Sequence, residues 1–188
     1  MDIVARAKGL ITRPREEWQA IAGEATDTAA LFKGYVAPMA AIPAVASFIG
    51  LAVFARTFVP GLPGLSIGSL LAQTVVTYLL GLAGVWIFGK LAQALAPRFG
   101  GSGEDMPAMK LAAYSPTAFW LAGVFTLVPP LAILGLLGLY SLYILYKGVP
   151  VVLRVPEEKA LVFTLALVIC AIAINLLIGF IVVPLLAL

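Results

Sequence analysis

The sequence contains no histidine, a single cysteine and few charged residues, and each shortage excludes a class of protein. The commonest general base near neutral pH, which is also the commonest metal ligand, is missing from all 188 residues. The lone thiol, Cys170, excludes an intramolecular disulfide and a thiolate metal cluster. Charged residues make up only 11% of the chain. We therefore expect no catalytic, cofactor-binding or metal-binding residues and no enzymatic activity.

Hydrophobic residues make up 62% of the chain, and the mean hydropathy is +1.08. A soluble domain of this size buries only about 70% of its surface, so it could not hide so much apolar area from water. The composition predicts an all-α, polytopic integral membrane protein. The net charge of +3 is spread over the segments that flank the apolar runs, so we expect no nucleic-acid partner.

Five apolar stretches are long enough to cross a bilayer as helices, since one crossing needs about 20 mostly apolar residues. They cover approximately residues 34–55, 67–89, 111–128, 130–147 and 161–183. Pro129 and Pro130 block helix continuation and predict a tight hairpin between the third and fourth spans. The alternative, one kinked helix, would far exceed the bilayer thickness. We expect residues 1–33 to form a cytoplasmic N-terminal segment and residues 34–188 a five-helix transmembrane domain.

The distribution of basic residues predicts the orientation of the chain. Eleven of them precede the first span or lie in the loops after the second and fourth spans, whereas Arg56 alone lies on the other side. The eleven are Arg6, Lys8, Arg13, Arg15, Lys33, Lys90, Arg98, Lys110, Lys147, Arg154 and Lys159. Because basic loops stay in the cytoplasm, we predict a cytoplasmic N-terminus and an external C-terminus. The charged first residues lack a continuous apolar core, so we expect no cleavable signal peptide.

Two short amphipathic helices are predicted before the first span, in the plane of the lipid headgroups. On a helical wheel the first helix has an apolar face that excludes Arg6. That face comprises Ile3, Val4, Ala7, Leu10 and Ile11. Pro14 suits the first position of the second helix, whose apolar face carries Trp18 and Ile21. The alternative is a frayed, solvated tail.

Two loops are interpreted from their turn and helix-start residues. Three glycines within residues 98–105 predict a flexible connection between the second and third spans. Pro156, Glu157 and Glu158 predict the start of the fifth helix, where the helix dipole favours carboxylates.

A few polar residues fall near the middle of the predicted spans. Gln73 and Thr77 lie in the second span, and Asn175 lies in the fifth, where Ala171 and Gly179 complete a stripe of small or polar residues. Such stripes let helices approach closely, so we expect Asn175 to point inward, toward Gln73 or Thr77. The alternative is a permeation or substrate site. No carboxylate lies within the spans, which disfavours an ion-coupled carrier.

Three tyrosines at three-residue spacing lead to the inner end of the fourth span. Tyr140, Tyr143 and Tyr146 end at Lys147, and Tyr114 is expected opposite them on the third span. An interfacial aromatic belt explains Tyr143 and Tyr146, but Tyr140 lies roughly 10 Å deeper than Lys147. The set predicts ordinary packing or, alternatively, a groove for a lipid headgroup or a partner.

The stretch from Leu139 to Ala160, LYSLYILYKGVPVVLRVPEEKA, resembles the signature of bacterial members of the Yip family, the Ypt/Rab-interacting proteins. AYSP at residues 113–116 and PREEW at residues 14–18 support the resemblance. The cytoplasmic loop of this signature includes Pro150, Arg154, Pro156, Glu157 and Lys159. The resemblance implies a five-span bundle in the bacterial inner membrane with a cytoplasmic N-terminus. Eukaryotic relatives bind Rab-type GTPases, but their acidic Asp-Leu-Tyr-Gly-Pro motif has no counterpart here.

Together these features predict a non-enzymatic inner-membrane protein of the Yip type. We expect it to bind other membrane proteins, as a hetero- or homo-oligomer, or to organise membrane lipids. The alternative hypothesis is a channel or lipid-translocating protein that uses the polar layer of Gln73, Thr77 and Asn175.

Overall fold

The computed structural model describes residues 2–54 and 66–185, with side chains to residue 182, and all regular structure in these ranges is helical. This confirms the predicted all-α class. The α-helices are α1 (Ile3–Thr12), α2 (Pro14–Gly23), α3 (Thr28–Phe54), α4 (Ile67–Leu95), α5 (Asp105–Tyr114), α6 (Thr117–Ala122), α7 (Tyr140–Val152) and α8 (Glu157–Leu185). Helix α3 contains two wide π-helical turns, Phe32–Val36 and Gly50–Phe54. Tighter 3-10 segments cover Ala96–Phe99, Gly123–Leu127 and Pro129–Leu139.

Four helical stretches are long and apolar enough to cross a membrane. They are Thr28–Phe54, Ile67–Phe99, Pro129–Val152 and Glu157–Val182. These stretches match the first, second, fourth and fifth predicted spans. Ala55, at the end of the first predicted span, and Arg56, the one basic residue predicted outside, lie beyond the described residues.

The third predicted span, residues 111–128, is not one continuous helix. Helix α5 ends at Tyr114 and α6 begins at Thr117, because Pro116 between them has no amide hydrogen to donate. The hydroxyl of Thr117 donates to the carbonyl of Tyr114 at 2.6 Å and so replaces a missing main-chain bond. After α6 the chain continues in the tighter 3-10 form. Four candidate spans are therefore found, and a fifth crossing stays a prediction.

The chain reverses at Val128, directly before the two prolines. Val128 is extended, with φ −118° and ψ 104°. The returning segment packs beside α6, since the amide of Phe119 donates to the hydroxyl of Ser141 at 2.8 Å. A Cβ placed on Gly138 would lie 3.0 Å from the Cα of Phe119. The predicted hairpin is confirmed, and a single kinked helix is excluded.

Both predicted N-terminal helices are present and pack on the rest of the chain. Asp2 caps α1 by accepting hydrogen bonds from the amides of Val4 at 2.9 Å and Ala5 at 3.2 Å. Leu10 of α1 and Ile21 of α2 are completely buried. This burial rules out the frayed tail; the location in the headgroup plane stays a prediction.

The buried face of α1 differs from the predicted one. Arg6, expected outside the apolar face, is only 8% exposed, whereas Val4, expected on it, is 76% exposed. The helical wheel ranks residues by polarity and does not include the carboxylates of Glu17 and Glu24, which draw Arg6 inward.

The loop predicted to be flexible is hydrogen bonded to the connection between α7 and α8. The amide of Gly101 donates to the carbonyl of Ala96 at 2.9 Å, and that of Ser102 to Leu153 at 2.7 Å. A Cβ on Gly101 would lie 2.5 Å from Val155, so glycine is needed here for close approach. The sequence prediction considered the conformational freedom of these glycines and not the close contacts that Gly101 makes with Val155.

The core lies where the N-terminal helices meet α5, α7 and α8. The largest completely buried side chains include Trp18, Tyr35, Tyr114 and Phe163. Much of the remaining surface of the long helices is apolar and exposed; Phe180 of α8, for example, is 81% exposed. A protein surface of this kind is stable in lipid and not in water, which agrees with membrane-spanning helices.

Candidate functional site

The end of the bundle that carries α1 and α2 also carries the loops at residues 100–104 and 153–156; we call it the basic end. Arg6 lies at its centre, and its terminal nitrogens donate to Glu17 at 2.5 Å and to Glu24. Its Cζ lies 5.6 Å from the ring centroid of Tyr114. Burial lowers the pKa of Arg6, but the two glutamates more than compensate and raise the pKa above its ordinary value. The charged guanidinium thus joins α1 to α2.

The buried ammonium of Lys110, in α5, closes the end of α2. Its Nζ donates to the main-chain carbonyls of Ile21 at 2.7 Å and Glu24 at 2.5 Å. The last carbonyls of a helix have no partner within the helix, and a cation at this end is favoured. Burial lowers the pKa of Lys110, while the Glu24 carboxylate opposes that shift. Lys110 therefore fixes α5 to the N-terminal helices.

Trp18 docks α2 against α7. Its indole Nε1 donates to the carbonyl of Ile144 at 2.9 Å, and the side chain is completely buried. A Cβ placed on Gly148 would lie only 2.5 Å from Cε2 of Trp18, so the glycine leaves room for the indole. Trp18 also meets the ring of Tyr114 edge-on, at a centroid distance of 6.2 Å.

Tyr114 therefore does not belong to the predicted tyrosine groove. It is 2% exposed, lies beneath Trp18 and packs on Tyr35 at a centroid distance of 4.7 Å. The Tyr35 hydroxyl is hydrogen bonded to Thr117 at 2.8 Å. The expectation placed Tyr114 opposite the tyrosines of the fourth span, but in the structure Arg6 of α1 and Trp18 of α2 pack against it.

The other tyrosines form a ladder along α7. The rings of Tyr140 and Tyr143 lie 5.4 Å apart, and the Lys147 ammonium lies 5.3 Å from the Tyr143 ring and 5.4 Å from the Tyr146 ring. The Tyr140 hydroxyl donates to the carbonyl of Ile11 at 3.0 Å, close to the end of α1. That bond accounts for Tyr140, which an interfacial belt explained poorly.

A pocket of about 420 Å³ lies between the start of α2, the end of α7 and the start of α8. We call it the Lys147 pocket. Its lining includes Arg15, Tyr146, Lys147, Pro150, Pro156 and Glu157. Lys147 and Tyr146 of the tyrosine ladder thus meet three residues of the predicted cytoplasmic loop, Pro150, Pro156 and Glu157.

The remaining loop residues face elsewhere. Arg154 adopts a left-handed conformation, with φ 56°, and its guanidinium lies 3.9 Å from the carboxylate of Glu104. Lys159 is exposed on α8. Neither lines the Lys147 pocket.

Sequence reasoning missed Arg15 as a pocket residue and counted Arg6 and Lys110 only as signals of orientation. Arg15 lies near α8, with its guanidinium 3.6 Å from the Glu157 carboxylate, only because Trp18 docks α2 on α7. The PREEW motif was the available signal, since it contains both Arg15 and Trp18.

The predicted mid-membrane polar layer is not assembled within the chain. Asn175 is exposed, and its Nδ2 donates to the carbonyl of Ala171 in its own helix at 2.8 Å. Thr77 is exposed and Gln73 half-buried. Helix α8 packs on α4 through other residues: a Cβ on Gly84 would lie 3.1 Å from Ile174. Asn175, one position further on, is rotated by about 100° from that contact, so the expected inward orientation is wrong.

The Arg6 contacts yield a test of how α1 is held. Replacing Arg6 with methionine removes its hydrogen bonds to Glu17 and Glu24, which are 23% and 43% exposed, and a hydrogen bond to a charged group contributes roughly 1.5–3 kcal/mol. Since about 1.4 kcal/mol is a factor of ten, amide hydrogen exchange in α1 should accelerate by about tenfold or more. Arg13→Met is the matched control, because Arg13 is 71% exposed and pairs only with exposed Glu16. Equal exchange rates in the two variants would contradict this role of Arg6.

Comparison with known proteins identifies the family. The family model described as the Yip1 domain matches residues 8–181. Two curated relatives are the inner membrane protein YohC from Escherichia coli strain K12 and from the O6:H1 strain CFT073. Each is 30% identical over 161 residues, which cover 83% of this chain and 83% of the relative. No solved structure gives a significant match. The chain therefore belongs to the Yip family of membrane proteins, through a Yip1 domain that covers almost its whole length.

Proposed function

We propose that this chain is a non-enzymatic inner-membrane protein with two roles. It binds other membrane proteins through helix α8, and it organises lipid at its basic end. The relatives are named as inner membrane proteins, and the family is not an enzyme family. The observation that carries the protein-binding role is the exposed amide of Asn175, which lies in the long apolar part of the 29-residue helix α8.

An amide that faces hydrocarbon is unfavourable, because only one of its N–H groups is used within its own helix. A helix from another chain can cover it and accept or donate the remaining hydrogen bonds. The same flank of α8 is open: Leu176 is 69% exposed, and a Cβ on Gly179 would meet no atom within 4 Å. Small residues of this kind allow two helices to approach closely.

Photocrosslinking in native membranes tests the protein-binding role. A photoreactive residue at Leu176, beside Asn175, should form adducts with another protein chain, and mass spectrometry of the adduct identifies it. The same probe at Phe163, which is completely buried in α8, is the matched control and should form none. Asn175→Ala should reduce the Leu176 adducts several-fold. Protein adducts no more abundant at Leu176 than at Phe163 would refute the proposal.

The proposed topology has five crossings, with a cytoplasmic N-terminus and an external C-terminus. Its support is the basic end, where ion pairs and hydrogen bonds join α1, α2 and both basic loops on one side of the bundle, as the retention of basic loops in the cytoplasm requires. The fifth crossing would be residues 111–128, the broken segment that runs from the last turn of α5 through α6 to the reversal at Val128.

Reporter fusions at the two ends test the topology. An alkaline phosphatase fusion should be active at the C-terminus and inactive at the N-terminus, and a fluorescent protein that folds only in the cytoplasm should give the opposite result. Both ends reporting the same compartment would mean an even number of crossings and would overturn the five-span arrangement.

A further inference from the structure

The Lys147 pocket has more positive than negative charge on its walls. Arg15 and Lys147 supply two cations, and Glu157 supplies one carboxylate. Its volume of about 420 Å³ is typical of a site for a small ligand or headgroup. The charge of the walls favours an anion.

Lys147 is held in place without an acidic partner. Its ammonium lies between the rings of Tyr143 and Tyr146, at 5.3 Å and 5.4 Å, and no carboxylate pairs with it in the described parts of the chain. Lys90 provides the contrast, because it lies 5.6 Å from the Trp86 ring but also pairs with Asp105 at 2.5 Å. The charge of Lys90 is thus compensated, and that of Lys147 is not.

Arg15 can exchange its partner. It lies 3.6 Å from Glu157, and both side chains are largely exposed. Exposed ion pairs contribute little to stability, whereas a guanidinium binds a phosphate through two parallel hydrogen bonds. A phosphate that enters the pocket can therefore replace Glu157 beside Arg15.

The pocket lies where two apolar helical stretches, Pro129–Val152 and Glu157–Val182, meet their connecting loop. Phospholipid headgroups occupy this level, and tyrosines concentrate there. The phosphate of a lipid can thus reach Lys147 and Arg15 while its acyl chains remain beside the exposed side chains of α7. We propose that the Lys147 pocket binds the phosphate of an anionic phospholipid. This inference rests on the lipid-organising part of the proposed function and is independent of any partner on α8.

Binding by the full chain, purified in a neutral detergent, tests the proposal. Phosphatidylglycerol should raise the melting temperature, whereas phosphatidylcholine with the same acyl chains should do so far less. Lys147→Gln and Arg15→Gln should each weaken the apparent affinity for phosphatidylglycerol about tenfold, since each removes one charge-assisted contact. Lys90→Gln, the matched control, should bind like the unmodified chain.

Glu157→Gln acts in the opposite direction and removes no side chain from the core, so it tests the pocket independently of folding. It should strengthen phosphatidylglycerol binding, because the competing carboxylate is gone. Equal stabilisation by the two lipids, unchanged binding in Lys147→Gln or weaker binding in Glu157→Gln would each overturn the proposal. Inorganic phosphate that reproduces the full stabilisation would assign the pocket to a soluble anion and not to a lipid. None of these results depends on the Leu176 adducts, so the lipid-binding proposal can be refuted independently of the proposed protein partner on α8.

Discussion

The basic end depends on the docking of one indole, that of Trp18, against a helix that has a glycine at the point of contact. Gly148 leaves the space, and the carbonyl of Ile144 accepts the indole hydrogen at 2.9 Å. Once α2 is fixed there, its carbonyl end reaches Lys110 and its first turn reaches α8. The charged contacts of Lys110 and Arg15 therefore depend on the position that this apolar docking gives to α2.

The need to satisfy main-chain hydrogen bonds explains the local hydrogen bonds at the breaks in the helices. In lipid a main-chain group without a hydrogen bond is costly, so every break needs a local substitute. At the break between α5 and α6 the hydroxyl of Thr117 donates to the carbonyl of Tyr114 at 2.6 Å. The hydroxyl of Ser115 adds a second hydrogen bond, also at 2.6 Å, to the carbonyl of Leu111, which already accepts the Ser115 amide at 3.1 Å. The break allows the chain to turn beneath the N-terminal helices, and the buried Tyr114 lies at that turn.

Much of the architecture could be predicted from the sequence because it follows from local rules. Apolar run length located four spans, the proline pair located the hairpin, and Pro14 located the start of α2. The site itself was only partly predictable. Arg6, Lys110 and Arg15 take their positions from partners distant in sequence; Lys110, for example, bonds to Ile21, 89 residues away. Helical periodicity contains no information on such pairings.

Asn175 illustrates the same limit inside the bilayer. Its depth could be estimated by counting along the span, but its direction depends on which face of α8 packs on α4. That face is set by Ile174 and Ile178, which lie close to Gly84. The amide is left on the open side of α8, where its Nδ2 donates to Ala171 of the same helix.

The docking of α2 on α7 is tested most directly by the distance between two spin labels. Gln19→Cys on α2 and Lys159→Cys on α8 provide exposed attachment points in a Cys170→Ala background. We expect a single narrow distance distribution, which becomes broader and shifts to longer distances when Gly148→Leu fills the space that Trp18 needs. A broad distribution in the protein that retains Gly148, or one unchanged by Gly148→Leu, would contradict it.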